Sequence, residues 1–289
     1  MSTSITETIR RRYSCRAYLE RPIAEETQRL LAEFLASNRM GPLGTRARFA
    51  LVAATDQDRT SLKGLGTYGF IKGMTGFIVG AAAPGPTNLE DYGYLMEHAI
   101  LRATDLGLGT CWLGGSFTKS SFARRIAAMR GELVPAVTAV GYPATDKPSD
   151  DRIRQHVGAN RRLAWEHLFF DQKFGQPLSR EAAGRYGEPL EMVRWAPSAS
   201  NKQPWRIVRS GDLWHFFLQR TKRYGKGSLL FRLLRLADLQ RVDMGIAMCH
   251  FELTARELGG TGRWVSDEPA IEKPAGNIEY VTSWQSSSS

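Results

Sequence analysis

The sequence predicts an α+β protein built from two similar halves, on three observations. Helical and strand patterns interleave without the regular strand–helix alternation of a doubly wound parallel sheet. No G-x-G-x-x-G follows a strand and opens a helix, so the dinucleotide fingerprint of such sheets is missing. The chain also repeats itself. Shifted by 152 residues, Gly93, Met96, His98, Leu101, Ala103, Leu106, Gly107 and Trp112 fall on Gly245, Met248, His250, Leu253, Ala255, Leu258, Gly259 and Trp264. These are eight identities in a window of 20 residues, where composition alone supplies about one or two. The period is too long for a solenoid or a propeller. It points to two domain-sized copies, 1–155 and 156–289, related by a pseudo-twofold axis where a homodimer would have a true one.

The elements follow in order. Ile5 to Arg12 reads as a helix ended by the polar break Tyr13-Ser14-Cys15, and Pro22 opens a second helix through Leu35 with Ile23, Leu30, Leu31 and Phe34 on one face. Phe49–Ala54, Thr75–Ala83 and Val134–Tyr142 are short apolar runs bounded by charge, Pro or Gly, and read as strands. Asp91 to Gly107 is a strongly periodic helix closed by glycine. A linker rich in Asp, Lys and Pro runs from about Ala144 to Arg154. The second copy then opens with a helix at Ala164–Phe170 and a loop at Ala196–Pro204. Strands at Arg206–Arg209 and Trp214–Leu218 and a helix at Asp243–Gly259 complete it. The serine-rich end, 285–289, is expected to be disordered.

At 289 residues, 42% hydrophobic and 24% charged, the composition is that of an ordinary globular protein. No apolar run reaches membrane-spanning length, and the first residues lack a secretory h-region. Cys15, Cys111 and Cys249 form neither a metal spacing nor a disulfide framework, which fits a reducing, cytoplasmic setting. The net charge of +10 suits either an anionic partner or a spread-out solubility charge. No zinc-finger, RRM or KH pattern supports nucleic acid.

Three segments carry chemistry. Arg12, Ser14 and Arg16 form R-x-S-x-R at a helix end, two forked cations and a hydroxyl suited to a phosphate or an anionic ring edge. Alone, this pattern reads equally as a surface salt-bridge cluster. Ala196 to Trp205 (APSASNKQPW) combines two prolines that fix the backbone with small residues and the donors and acceptors of Ser198, Asn201 and Gln203. Leu106 to Gly115 (LGLGTCWLGG) offers exposed backbone N–H groups and close approach of a ring, or a plain helix cap.

Together, in this order and spacing, the three resemble the nitroreductase-like family of FMN-dependent oxidoreductases, in its internally duplicated single-chain form. Tyr68–Gly73 and Asp243–Ala247 add to the match, which spans nearly all of residues 5 to 265. The resemblance implies a nitroreductase fold in two tandem copies forming a pseudo-dimer. It implies FMN held at the interface, with NADPH or NADH as electron donor. Arg12, Ser14 and Arg16 match positions for the phosphate, the ribityl chain and the pyrimidine edge. Pro197, Ser198 and Asn201 match the loop given by the opposite subunit, with Gln203 beside them. Leu113, Gly114 and Gly115 match the backbone near the reactive ring nitrogen, and Arg161 or Arg162 falls near the family's late phosphate-binding basic residues.

The first copy keeps R-x-S-x-R and the glycine segment, but reads Ala36 to Pro42 at the partner-loop position. The second keeps APSASNKQPW, but reads Phe174 to Arg180 where the arginine motif is expected, and Gly259 to Trp264 at the glycine segment. The retained pieces are complementary, so one FMN per chain is expected. His98 and His250 read as hydrogen-bonded core residues rather than catalytic or metal groups. The implied activity is ping-pong NAD(P)H-dependent reduction of a small-molecule acceptor such as a nitroaromatic, a quinone or an activated alkene. No side chain is required as a nucleophile, and Tyr68 to Lys72 could line the acceptor pocket. A monomer suffices, with no nucleic-acid or membrane partner. A flavin-binding sensor or carrier without turnover would share every flavin contact. A pure interaction protein would not have kept the trio.

Overall fold

In the computed structural model the described residues are 3–56, 71–114, 119–144, 158, 161–222, 237–274 and 276–287. Gly115, Tyr68–Phe70 and the linker from residue 145 onward, all singled out above, lie outside them.

Helix α1 (Ile5–Arg11) begins where the Ser4 hydroxyl accepts the Glu7 N–H at 3.1 Å. An extended strap, 12–24, separates it from α2 (Glu25–Ser37). Then come β1 (Ala47–Ala53), β2 (Gly76–Ala82), α3 (Asn88–Asp105), β3 (Gly109–Gly114), α4 (Lys119–Arg125) and β4 (Ala136–Gly141). The second half holds β5 (Phe169–Asp171), α5 (Arg180–Ala183), α6 (Gly187–Trp195), β6 (Trp205–Ser210), β7 (Leu213–Gln219), α7 (Leu239–Glu257), β8 (Gly262–Val265) and β9 (Ile278–Ser286).

The first sheet has the order β1-β2-β4-β3 with every neighbour antiparallel. The second repeats that order and sense as β6-β7-β9-β8, with β5 added in parallel on the edge of β6. In each half the long helix, α3 or α7, links the second strand to the edge strand.

These two helices cross at the centre of the main core. At the crossing, a Cβ on Gly93 would lie 2.9 Å from the carbonyl carbon of Val242, and one on Gly245 would lie 2.7 Å from the Tyr94 nitrogen and 2.8 Å from the Glu90 carbonyl carbon. Only glycine lets the two backbones approach so closely. The contacts are reciprocal, since Gly245 stands 152 residues after Gly93 and Val242 stands 152 after Glu90. The inner face of the second sheet packs Trp205, Ile207, Trp214, Phe216 and Trp284 toward α7. On the outer face of the first sheet Cys15, Tyr18, Phe77, Leu113 and Phe122 form a second core.

Several readings of the sequence are corrected. Ala164–Phe170 is not a helix but a 3₁₀ turn, Trp165–His167, followed by β5. The edge of β6 offers unpaired backbone groups, and the Ile207 N–H donates to Leu168 O at 2.8 Å. That ladder outweighs any helical tendency of a short apolar run. The glycine-rich segments are strands, β3 and β8, rather than loops. Strand β9 extends through Ser286, whose N–H and hydroxyl both donate to Asp212 O at 3.0 and 2.9 Å. Gln285 and Ser286 are therefore part of the sheet, not of a disordered tail.

Candidate active site

The strap after α1 runs along the free edge of β3. Ser14 bridges Thr110, and the Cys15 N–H donates to Thr110 O at 2.8 Å. Tyr18 seals the strap from beneath, its hydroxyl donating to Cys15 O at 2.9 Å. Extended backbone alternates sides, so with Cys15 facing the core, Ser14 and Arg16 face away from it. The Arg16 carbonyl accepts from Lys72 N at 2.9 Å, which ties Lys72 of the expected pocket loop to this motif.

Among the described residues the second half shows no such strap along β8. Between α5 and α6 there is only the turn Gly184–Tyr186, and among the described residues β8 pairs with β9 alone. Among the described residues, Phe174 to Arg180 does not pair with β8. It precedes α5, with Phe174 packed on Phe217 at 5.0 Å and Ser179 capping the helix.

Arg12 caps the C-terminus of α1 and is nearly buried, its side chain 7% exposed. Its guanidinium donates no hydrogen bond to a described residue. It has one ion pair, to Glu97 Oε1 at 3.6 Å, and its Nε is buried without a hydrogen-bond partner. Glu97, on α3, is fully buried and also accepts from Trp112 Nε1 at 2.7 Å and from His250 Nε2 at 3.0 Å. The other His250 nitrogen donates to Met192 O of α6 at 2.9 Å. Burial pushes the Glu97 carboxyl up, but His250, Arg12 and Trp112 outweigh it and leave it below its ordinary value. The relay Arg12–Glu97–His250–Met192 joins the two halves next to the helix that leads into residue 196.

The 196–204 loop is held under backbone strain. Ser200, Asn201 and Gln203 all have left-handed φ, at 50°, 52° and 48°, which for residues other than glycine persists only where surroundings enforce it. Here they do. The Ser198 hydroxyl accepts from Gln203 N at 2.9 Å. Asn201 Nδ2 donates to Gly158 O and Arg161 O at 2.7 and 2.9 Å, and its Oδ1 accepts from Arg162 Nη1 at 3.1 Å. The buried Gln203 takes the Leu163 N–H on Oε1 at 2.8 Å. The amides of Asn201 and Gln203 thus bind the loop to Gly158, Arg161 and Leu163, and Arg161 and Arg162 meet that loop directly. Pro197 and Ser198 are half-buried, with Ser198 extended ahead of the 3₁₀ turn Ala199–Asn201.

Helix α7 brings the loop and the end of β3 together. A Cβ on Gly114 would meet the Leu239 side chain at 2.8 Å, while Leu113 is buried in the outer core. One turn further, Asp243 Oδ1 accepts from Ala199 N at 2.9 Å. Asp91, 152 residues earlier, holds the first half's loop in the same manner but with both oxygens, accepting from Leu43 N and Thr45 N at 2.8 and 2.7 Å. Asp243 is 3% exposed, and its Oδ2 has no hydrogen-bond partner. Burial pushes its carboxyl well above the ordinary range, and Asp238 adds to this. The sequence reading missed Glu97 and this role of Asp243. The repeat contained a signal for the second, because Asp91 and Asp243 share the offset.

A contrast follows for these paired aspartates. Asp91→Asn sets an amide NH₂ against a backbone N–H and is expected to cost about 1–3 kcal/mol. Asp243→Asn keeps the one acceptor in use and removes a buried acid, so its cost is expected to be under about 1 kcal/mol. Thermal midpoints of the two variants, taken side by side, check this, and equal losses would refute it.

Of the two histidines read as hydrogen-bonded core residues, His250 is so. His98 instead meets the ring of Phe34 at 4.8 Å in edge geometry, and burial pushes its pKa down to about 4.

The donor set at the joined segments fits an anionic, acceptor-rich ligand. Guanidinium donors unspent at near-complete burial are what a phosphate or a ring carbonyl would take. Among the described residues no group of three or more His, Cys, Asp or Glu is placed to hold a metal ion, and no helix is long and apolar enough to cross a membrane.

Comparison with known proteins agrees with this architecture. The crystal structure of a putative nitroreductase from Thermotoga maritima is similar over 99% of this chain and 94% of its own, at 21% identity and a TM-score of 0.58. A nitroreductase with bound FMN from Desulfitobacterium hafniense matches over 51% of this chain and 93% of its own (21% identity, TM-score 0.42). A nitroreductase in complex with FMN from Desulfovibrio desulfuricans matches over 53% and 93% (23% identity, TM-score 0.41). No curated protein matches the sequence. The model of the family described as "Putative TM nitroreductase" matches residues 4–255, and the chain belongs to that nitroreductase family of oxidoreductase enzymes.

Proposed function

We propose that the chain is an FMN-dependent, NAD(P)H-driven reductase of small-molecule acceptors, with one flavin site built across two halves that arose by internal duplication. The halves are 1–155 and 156–289. The observation that carries the reading is the strap. Arg12, Ser14 and Arg16 lie on the strap along the edge of β3, and α7 gathers the end of that edge strand and the 196–204 loop. The repeated strand order and the reciprocal glycine crossing support the duplication.

In this reading Arg12 and Arg16 take the phosphate and the electron-rich ring edge, and Ser14 supports the chain between them. The backbone of Leu113 and Gly114, with Gly115 beyond the described residues, lies along the ring. Pro197 and Ser198 close the site from the second half. Asn201, Gln203 and Arg162, with the Arg161 carbonyl, keep that loop in its strained shape so that it need not order on binding. FMN supplies the redox chemistry, accepting a hydride from the nicotinamide and passing electrons to a nitroaromatic, quinone or activated alkene. The net charge of +10 favours anionic ligands such as NADPH by steering. A monomer in the cytoplasm suffices for this activity.

The purified protein is expected to show oxidised-flavin absorbance, to release one FMN per chain on heating, and to bleach on anaerobic addition of NADPH or NADH. Two flavins per chain would refute the single site. Bound flavin that neither nicotinamide bleaches would make the protein a carrier or sensor. Protein that cannot be loaded with FMN would refute the reading altogether.

A further inference from the structure

A cavity of about 980 Å³ opens on the second sheet, on the face turned away from the central helices. Phe170, Phe174 and Pro177 form its apolar wall, with the two phenyl rings 5.5 Å apart. Arg206 of β6, which also lines the cavity, pairs across the ladder with Phe217, the ring on which Phe174 packs, and so lies on this outer face. Arg206 Nη1 donates to the backbone carbonyls of Gln203 and Trp205 at 3.0 and 2.6 Å. Its Nε and Nη2 donate to no described residue. Glu166 also lines the cavity but makes no ion pair with Arg206.

This is unlike the other enclosed arginines. Arg48 is paired with Glu132 at 2.8 Å, Arg194 with Glu191 at 2.6 Å, and Arg220, in the same cavity wall, with Asp238 at 2.7 Å. Burial without an opposing carboxylate pushes the Arg206 pKa down to about 10, so the group is still charged near neutral pH. Lys222 adds a second cation at the exposed rim. A half-buried guanidinium with a free edge, in a cavity that two phenyl rings also line, lacks its anion.

We propose that this cavity binds a small organic anion with a flat apolar body, of the aryl carboxylate class. Its carboxylate sits on the free edge of Arg206 and its ring lies against Phe170 and Phe174. The site shares only Lys202 and Pro204 with the 196–204 segment and includes none of Arg12, Ser14, Arg16 or Asn201. It therefore stands independently of the flavin reading.

The test is calorimetric titration of the purified protein with 2-naphthoate, with acetate as an anion lacking the apolar body. Saturable naphthoate binding is expected, with acetate weaker by tenfold or more. Arg206→Gln is expected to weaken naphthoate binding at least tenfold in the folded protein. Should that variant fail to fold, Arg206→Lys keeps the charge and loses the fork, and a severalfold loss is expected. Equal binding to wild type and to the folded Arg206 variant would place the ligand elsewhere and overturn the proposal, as would the absence of saturable binding.

Discussion

Gly245→Ala is expected to destabilise the protein by about 3 kcal/mol, near the upper end of what overpacking a core costs. The new methyl group would lie 2.7 Å from the Tyr94 nitrogen and 2.8 Å from the Glu90 carbonyl carbon. Both are backbone atoms inside α3 and cannot rotate away as a side chain would. Relief requires the two helices to separate, which loosens contacts along the whole crossing. At roughly 2–4 °C per kcal/mol for a chain of this order of size, the thermal midpoint should fall by roughly 6–12 °C. Gly85→Ala is the control, because a Cβ there meets nothing closer than Thr45 Oγ1 at 3.4 Å. Its effect should stay within about 0.5 kcal/mol. If the two variants melt alike, the crossing is not as tight as described.

Glu97→Ala is expected to cost about 3–5 kcal/mol, the usual result of breaking a buried ion pair from one side. It strands the Arg12 guanidinium and the His250 ring, and it leaves the Trp112 N–H without an acceptor. The pH dependence has a definite sign. The Glu97 carboxyl lies below its ordinary value of 4.5 in the folded chain. Its contribution is therefore fully present above that value and is lost as the pH falls through the lower folded value. Urea midpoints measured from pH 7 down to pH 3 should show a steep acid limb in the wild type. Glu97→Gln, which cannot ionise, should flatten it. An unchanged acid limb would mean that Glu97 is not held as an ion.

The periodicity of α3 and α7 was legible because a long helix with one buried face must repeat its apolar residues every three or four positions. Gly93 and Gly245 recur at the repeat offset, but that they mark a crossing is visible only where the two backbones meet. What could not be read was pairing across distance. Strands β3 and β8 are glycine-rich and short, and they are strands only because β4 and β9 lie beside them. β5 is three residues long and exists by borrowing the edge of β6. At the candidate site, residue types singled out loops but not how their atoms are spent. Asn201 and Gln203 look like ligand donors in sequence, yet their amides hold Gly158, Arg161 and Leu163. Glu97 carries no motif, and only its burial against Arg12 reveals it.

The joining of both crossing helices in one chain changes how the centre responds to dilution and to inheritance. Where two separate chains meet, the fraction assembled depends on protein concentration by mass action. Here the α3–α7 contact is intramolecular and persists at any dilution. In a symmetric pair, moreover, each substitution appears twice, once at each end of the axis. In this chain Gly93 and Gly245 mutate separately, as do Asp91 and Asp243. Each can therefore diverge from its counterpart, which two identical chains cannot do.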